Sequence, residues 1–218
     1  EPREFLHGAR SRADDMFETS RSVFDGRYFY VRHFRPHLPY IQGGWIYGEG
    51  KLSFLELYRA RDAGELPPES ALLFAREKPI EELYDLENDP HEIRNLAREE
   101  AHRGDLERLR SEMREWVLET RDTGFLAEAE LHARAGDRTR YDYARDREAY
   151  RLPEIFDAAE RVGDPLVSVS ELRDGLTAND SGVRYWSAVA LLAKGAHAEE
   201  ARPELRDALA DSSASVRI

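Results

Sequence analysis

The sequence predicts an α+β fold followed by an all-α segment, and three observations carry that expectation. Two aromatic, β-branched runs flank an Asp-Gly pair at 25–26. One long stretch, Asp105 to Arg121, repeats its apolar residues at helical spacing. The end of the chain repeats itself at an offset of 33 residues. A small antiparallel sheet packed by a long helix should therefore occupy residues 1–125, a polar linker 126–152, and α-helical repeats 153–218.

In chain order, residues Glu1 to Ser20 are charged and show no sustained period, which reads as an extended lead-in segment. Asp14-Asp15 within it is weighed as a cation site and set below a solvated loop, because Arg-Ser-Arg-Ala rather than a hydrophobic strand precedes it. Ser22-Val23-Phe24 and Arg27 to Phe34 then form a hairpin around Asp25-Gly26, two residues that tolerate positive φ. Alternation sets Tyr28, Tyr30, Arg32 and Phe34 on one face and Phe29, Val31 and His33 on the other, so both faces should be partly covered. Pro36, Pro39 and Gly43-Gly44 open a long excursion containing Trp45 and Tyr47. Two short helices are expected in it, one around Leu55, Leu57 and Tyr58, one after Pro67-Pro68.

Glu82 to Leu86 has strand composition, and Asn88-Asp89-Pro90 stops it. Asp89 stands where a helix N-cap belongs, Pro90 at the first helical position and Glu92 where a capping box places its acid, so a capped helical turn is expected there. Leu106, Leu109, Met113, Trp116 and Val117 give the following helix one apolar stripe, which should lie across the sheet. From Leu126 to Arg151 Arg and Asp alternate among tyrosines, the pattern of a surface linker. Glu-Leu-Arg-Asp-Gly-Leu at 171–176 recurs as Glu-Leu-Arg-Asp-Ala-Leu at 204–209, and Val183-Arg184 as Val216-Arg217. Each unit reads as a helix carrying Leu172 and Leu176, a polar turn, and a second helix filled by Trp186, Val189 and Leu192. This resembles HEAT-type repeats, which bury their apolar stripes by stacking, and implies further repeats beyond Ile218.

Glu-Leu-Tyr-Asp-Leu at 82–86, Asn-Asp-Pro-His-Glu at 88–92 and Asn-Leu-Ala at 95–97 together resemble the C-terminal signature of the sulfatases, enzymes of alkaline-phosphatase-like fold. The hairpin, with Arg21, Asp25, Arg27, Tyr28 and Tyr30 in register, is similar to the same family, nearest its heparan N-sulfatase-like and arylsulfatase members. The likeness runs from Asp14 to about Phe125. It implies a parent enzyme that hydrolyses sulfate esters or sulfamates, of sugars, with a formylglycine nucleophile and a calcium ion in an N-terminal catalytic domain. That domain would be the main partner of this chain, and a sulfated small molecule or glycan the substrate. The resemblance also implies export to the periplasm or beyond, with a cytoplasmic location left open.

Composition narrows the rest. Net charge is −12, which disfavours nucleic acid and anionic membrane surfaces, and no apolar run approaches the ~20 residues of a membrane span. There is no Cys, and no Pro is preceded two residues earlier by Ser or Cys, so the formylglycine motif Cys/Ser-x-Pro-x-Arg is absent. Catalytic and metal-binding residues are therefore expected to lie outside this chain, which alone should be inactive. The residues that could meet an anionic sugar are His7, Arg10 and Arg12, because a guanidinium bonds two oxyanion oxygens at once. Two alternatives stand beside the sulfatase reading: a non-enzymatic module whose repeats grip a protein or glycan, and a phosphoester-cleaving relative of the same superfamily.

Overall fold

The computed structural model describes residues 3–13, 16–42 and 50–217. Asp14-Asp15, with the cation site weighed there, and Gly43-Gly44, Trp45 and Tyr47 lie outside the described residues, as does Ile218. The chain divides into two compact units, Glu1–Leu106 and Glu107–Ile218.

Unit 1 is built on a four-stranded antiparallel sheet in the order β1 (Leu6–Ala13), β2 (Met16–Phe24), β3 (Tyr28–His33), β4 (Glu81–Asp85). The lead-in segment expected before the hairpin is thus itself a pair of strands. Its burial follows the pattern buried, exposed, buried through Met16–Glu18 and changes phase at Thr19, where the β1–β2 register slips between Arg10 and Arg12. A bulge at this slip keeps both Glu18 and Thr19 out of solvent and erases the period-2 signal that sequence reading depends on. The hairpin between β2 and β3 is present, but its connection, residues 25–27, is one residue longer than expected. Gly26 takes φ +100°, and Asp25 stays at the strand end, its carboxylate accepting from the amides of Arg27 (2.9 Å) and Tyr28 (2.7 Å).

After β3 come α1 (Leu52–Ala63), α2 (Pro68–Ala71) and a 3₁₀ turn at Leu72–Phe74, close to the two short helices expected. The capped helical turn after β4 does not form. Asp89 accepts from the amide of Arg94 at 2.7 Å, five residues on, and Glu92 adopts φ +56°. The chain reverses here so that Asn95 can run back along β4. Its side-chain oxygen accepts from Leu83 N at 3.0 Å, its amide nitrogen donates to Glu81 O at 3.0 Å, and Leu96 N donates to Leu83 O at 2.8 Å. The Asn-Leu-Ala string therefore satisfies the outer edge of the last strand.

α3 (Arg103–Thr120) follows, with Leu106, Leu109, Met113 and Val117 buried as its stripe requires. Residues 126–152, expected as a linker, instead hold α4 (Glu128–Ala135) and α5 (Arg140–Arg145), with Leu131, Tyr143 and Tyr150 buried. The segment is cross-linked rather than extended: Arg138 pairs with Asp146 at 2.9 Å, and Arg121, just past α3, donates to the carbonyl oxygens of Ala144 (2.8 Å) and Tyr150.

α6 (Leu152–Glu160), α7 (Val169–Gly175), α8 (Ser181–Lys194) and α9 (Arg202–Ala208) complete unit 2. Phe125, Phe156 and Trp186 meet at its centre, the first two rings 4.8 Å apart, and Trp186 Nε1 donates to Phe125 O at 2.8 Å. On α8 the expectation for Leu192 fails: it is 66% exposed, and Leu191 is the buried neighbour. The 33-residue repeat appears as repeated bonding. Arg184 Nη1 donates to the carbonyl oxygens of Ala178 and Asn179 (2.8 and 3.1 Å), and Arg217 Nη1 to those of Asp211 and Ser212 (2.6 and 3.2 Å), the same positions one repeat later.

Candidate functional site

The β1–β2 bulge aims a carboxylate inward, and the result is a group of charges enclosed within unit 1. Lys78, whose side chain is 0% exposed, donates to Glu18 Oε2. His33, the last residue of β3, places Nε2 3.0 Å from Glu82 Oε1 and Nδ1 3.8 Å from Glu18 Oε1. Tyr40 donates its hydroxyl to Glu82 Oε1, and Tyr84 donates to Glu82 Oε2 at 3.1 Å. Lys78 also lies 5.5 Å from the centroid of the Tyr40 ring.

Burial would raise the pKa of both carboxyls, but the nearby His33 ring and the Lys78 ammonium-bearing side chain bring Glu18 down to about 2. His33, together with the Tyr40 and Tyr84 hydroxyls, lowers Glu82 in the same way. For His33 burial favours the neutral ring and is outweighed by Glu18 and Glu82, so its pKa is raised. The group thus sets the carboxyls of Glu18 and Glu82 against Lys78 and His33 in one enclosed cluster. Nearby His37 feels Glu18 too weakly to offset its surroundings. Burial, Arg35 and Lys78 push it down to about 4, and its ring stays neutral at physiological pH.

Chemically, this group is a lock. Every Glu82 oxygen is in use, and Glu18 also accepts from Thr19 N at 3.0 Å, so the polar atoms of these carboxylates are spent on neighbours within unit 1. His33 is the packed strand residue its alternation implied. Sequence reading missed Glu18, Lys78 and Glu82. The one signal for them was Lys78 itself, one of three lysines in a chain that otherwise uses Arg.

The three residues marked for an anionic sugar all lie on β1, and the strand divides them. Arg10 and Arg12 stand two apart and share a face, whereas His7 has the opposite parity, with its ring 6.4 Å from that of Phe5. Both arginines are exposed. Arg12 pairs with Phe17 across the strands and holds its guanidinium 5.5 Å from that ring's centroid. Phe17 is 51% exposed, and Gln42 clamps its backbone: Phe17 N donates to Gln42 Oε1 at 3.2 Å, and Gln42 Nε2 donates to Phe17 O. The side-chain amide takes the place of a strand neighbour beyond the Ser20–His33 pair, where the β2–β3 register ends.

In unit 2 a cavity of about 380 Å³ is bordered by Glu130, Ser181, Ser213 and Arg217. Its carboxylate is already engaged, accepting from Ser181 Oγ, Ser213 Oγ (2.6 Å) and Arg134 Nε (2.8 Å). Among the described residues no group of three His, Cys, Asp or Glu side chains is arranged to hold a metal ion, so none of them fits the calcium that the family resemblance implies. No helix of the described residues is long and apolar enough to cross a membrane.

No family model matches the chain. Among curated proteins it is similar to an ulvan-active sulfatase of Formosa agariphila, 35% identical over 132 residues. The match covers 59% of this chain and 22% of that relative, so the chain spans about a fifth of the relative's length. The similarity supports the resemblance to sulfatase C-terminal regions drawn from residues 82–97.

Proposed function

We propose that these residues are the C-terminal part of a sulfatase whose nucleophile and metal lie elsewhere in the same polypeptide. The similarity to the ulvan-active sulfatase carries this reading. The absence of Cys/Ser-x-Pro-x-Arg from the sequence supports the division of labour. The parent would hydrolyse sulfate esters or sulfamates of sugars by the formylglycine and calcium chemistry that the resemblance implies, and a sulfated polysaccharide is the substrate class that the relative's name suggests. The sheet of unit 1 would supply packing and one wall of the substrate mouth, with Arg10 and Arg12 facing the anion and His7 on the other side of the strand. The isolated 218 residues should not turn over a chromogenic aryl sulfate, while the full-length polypeptide, expressed with its formylglycine-generating enzyme, should. Turnover by the isolated chain, or a full-length protein without the nucleophile motif, would overturn the reading.

A second reading has one observation in its favour. Leu192 and Leu209 are 66% and 62% exposed on helical repeats, surfaces suited to a protein partner. An interaction module without enzymatic activity is favoured if the full-length protein lacks the nucleophile motif and Leu192→Glu abolishes a defined complex.

A further inference from the structure

We propose that Phe17, Arg12 and Arg10 form a recognition platform for one sulfated pyranose ring on the β1–β2 face of unit 1. The proposal rests on the sulfatase reading and names the contact by which this part of the chain would hold the sugar. Phe17 is half exposed, yet it is fixed on two sides, by the Gln42 amide on both of its backbone polar groups and by the Arg12 guanidinium against its ring. An aromatic ring held still and left open to solvent can stack on the C–H face of a pyranose, whose hydrogens carry partial positive charge toward the negative ring face. The clamp on Phe17 N and O leaves little main-chain freedom to be lost there when the sugar arrives.

The two guanidiniums supply the second half of the recognition. Their planar forks match the oxygens of a sulfate group as they match carboxylate or phosphate. Arg10 stands about 7 Å along the strand from Arg12, roughly the span from a ring centre to an exocyclic sulfate. Its side chain makes no hydrogen bond or ion pair among the described residues, so no existing contact has to break for it to take a ligand. A net charge of −12 over the whole chain repels polyanions in general, and a sulfated polysaccharide is retained only where local geometry outweighs that field.

The test is affinity electrophoresis of the 218-residue chain through gels containing dextran sulfate, unsulfated dextran of the same length, or polyphosphate. Retardation is expected in dextran sulfate alone. Phe17→Ala should weaken it by about tenfold and Arg10→Ala by about fivefold, in line with the worth of one stacked ring and one exposed charge-assisted contact. Arg59→Ala, a substitution of an exposed cation on α1 that makes no contact with Phe17, Arg12 or Arg10 among the described residues, should leave it unchanged. Circular dichroism of each variant separates loss of the platform from loss of the fold. Equal retardation in polyphosphate, no effect of Phe17→Ala in a folded protein, or an equal loss with Arg59→Ala would each overturn the proposal. The sulfatase reading is decided separately by aryl sulfate turnover in the full-length polypeptide, which needs no platform.

Discussion

The two units solve the problem of their interiors in opposite ways. Unit 1 encloses Glu18, His33, Lys78 and Glu82 and balances them against one another, whereas unit 2 gathers Phe125, Phe156, Trp186, Tyr143 and Tyr150 and leaves its ion pairs to bind turn to turn. In unit 1 each charge is indispensable to the others, because removing one leaves its partner buried and uncompensated. In unit 2 stability is divided among separate ion pairs, from the half-exposed Arg138–Asp146 to the mostly covered Arg184–Asp211, so each one matters less. Losses in unit 1 should therefore be large and in unit 2 graded.

The sharpest way to break the contrast is Lys78→Met, which strands the Glu18 carboxylate. It should cost ~3–5 kcal/mol in urea denaturation, and adding Glu18→Gln should restore much of that. A loss under about 1 kcal/mol, or no rescue, would show that the group is not the core of unit 1.

Titration disturbs the same group without mutation. The raised pKa of His33 contributes stability that is complete below about 6.5 and disappears as pH rises through its folded-state value. The lowered pKa of Glu18 contributes stability that is complete above about 4.5 and disappears as pH falls toward about 2. His37, held down to about 4, acts against folding as pH falls from about 6.5 through that value. Side-chain NMR should find the two rings titrating on opposite sides of the ordinary histidine value, and a shared midpoint would contradict the assigned contacts.

Next in size, Trp186→Phe removes the donor to Phe125 O and some volume from the aromatic centre of unit 2. About 2 kcal/mol of destabilisation is expected. The smallest effect sharpens the picture of unit 2. Arg184 bonds Asp211 through two nitrogens at 2.7 and 2.8 Å, and a double-mutant cycle with Arg184→Ala and Asp211→Ala should give a coupling of about 1 kcal/mol. A coupling near zero would mean that this staple does not join successive repeats.

What could be read in advance follows from how regular each signal is. Tyr28, Tyr30, Val31 and the Asp25-Gly26 pair obey strand alternation and turn chemistry, and the hairpin was legible to within a residue. The stripe of α3 and the repeat of Glu-Leu-Arg-Asp were legible for the same reason, since both are periodic. β1 and the first half of β2 were hidden because the bulge at Glu18 and Thr19 resets the alternation and because Arg10, Arg12 and Ser20 make the strands look like coil. The helix expected at Pro90 was lost to a long-range demand: Asn95 had to reach Leu83, and local capping chemistry gave way. α4 and α5 were missed because their charged residues are spread along both helices and only Leu131, Ala135, Tyr143 and Ala144 are buried, two per helix and too few to mark a period. The enclosed charges were out of reach, since Glu18 lies 60 residues before Lys78 and meets it only in the folded unit. Of the residues of the proposed platform, Arg10 and Arg12 could be picked out as neighbouring cations, while Phe17 could not, because it stands in a charged stretch without sustained period.

The Asn95 clamp makes the sheet one-sided in its capacity to grow. With Glu81 O and Leu83 N already taken by a side chain, a foreign strand arriving beside β4 finds those main-chain groups occupied and cannot zip on. Any widening by another polypeptide has to begin along β1, so Asn95 also acts as a guard against runaway self-association from the other flank.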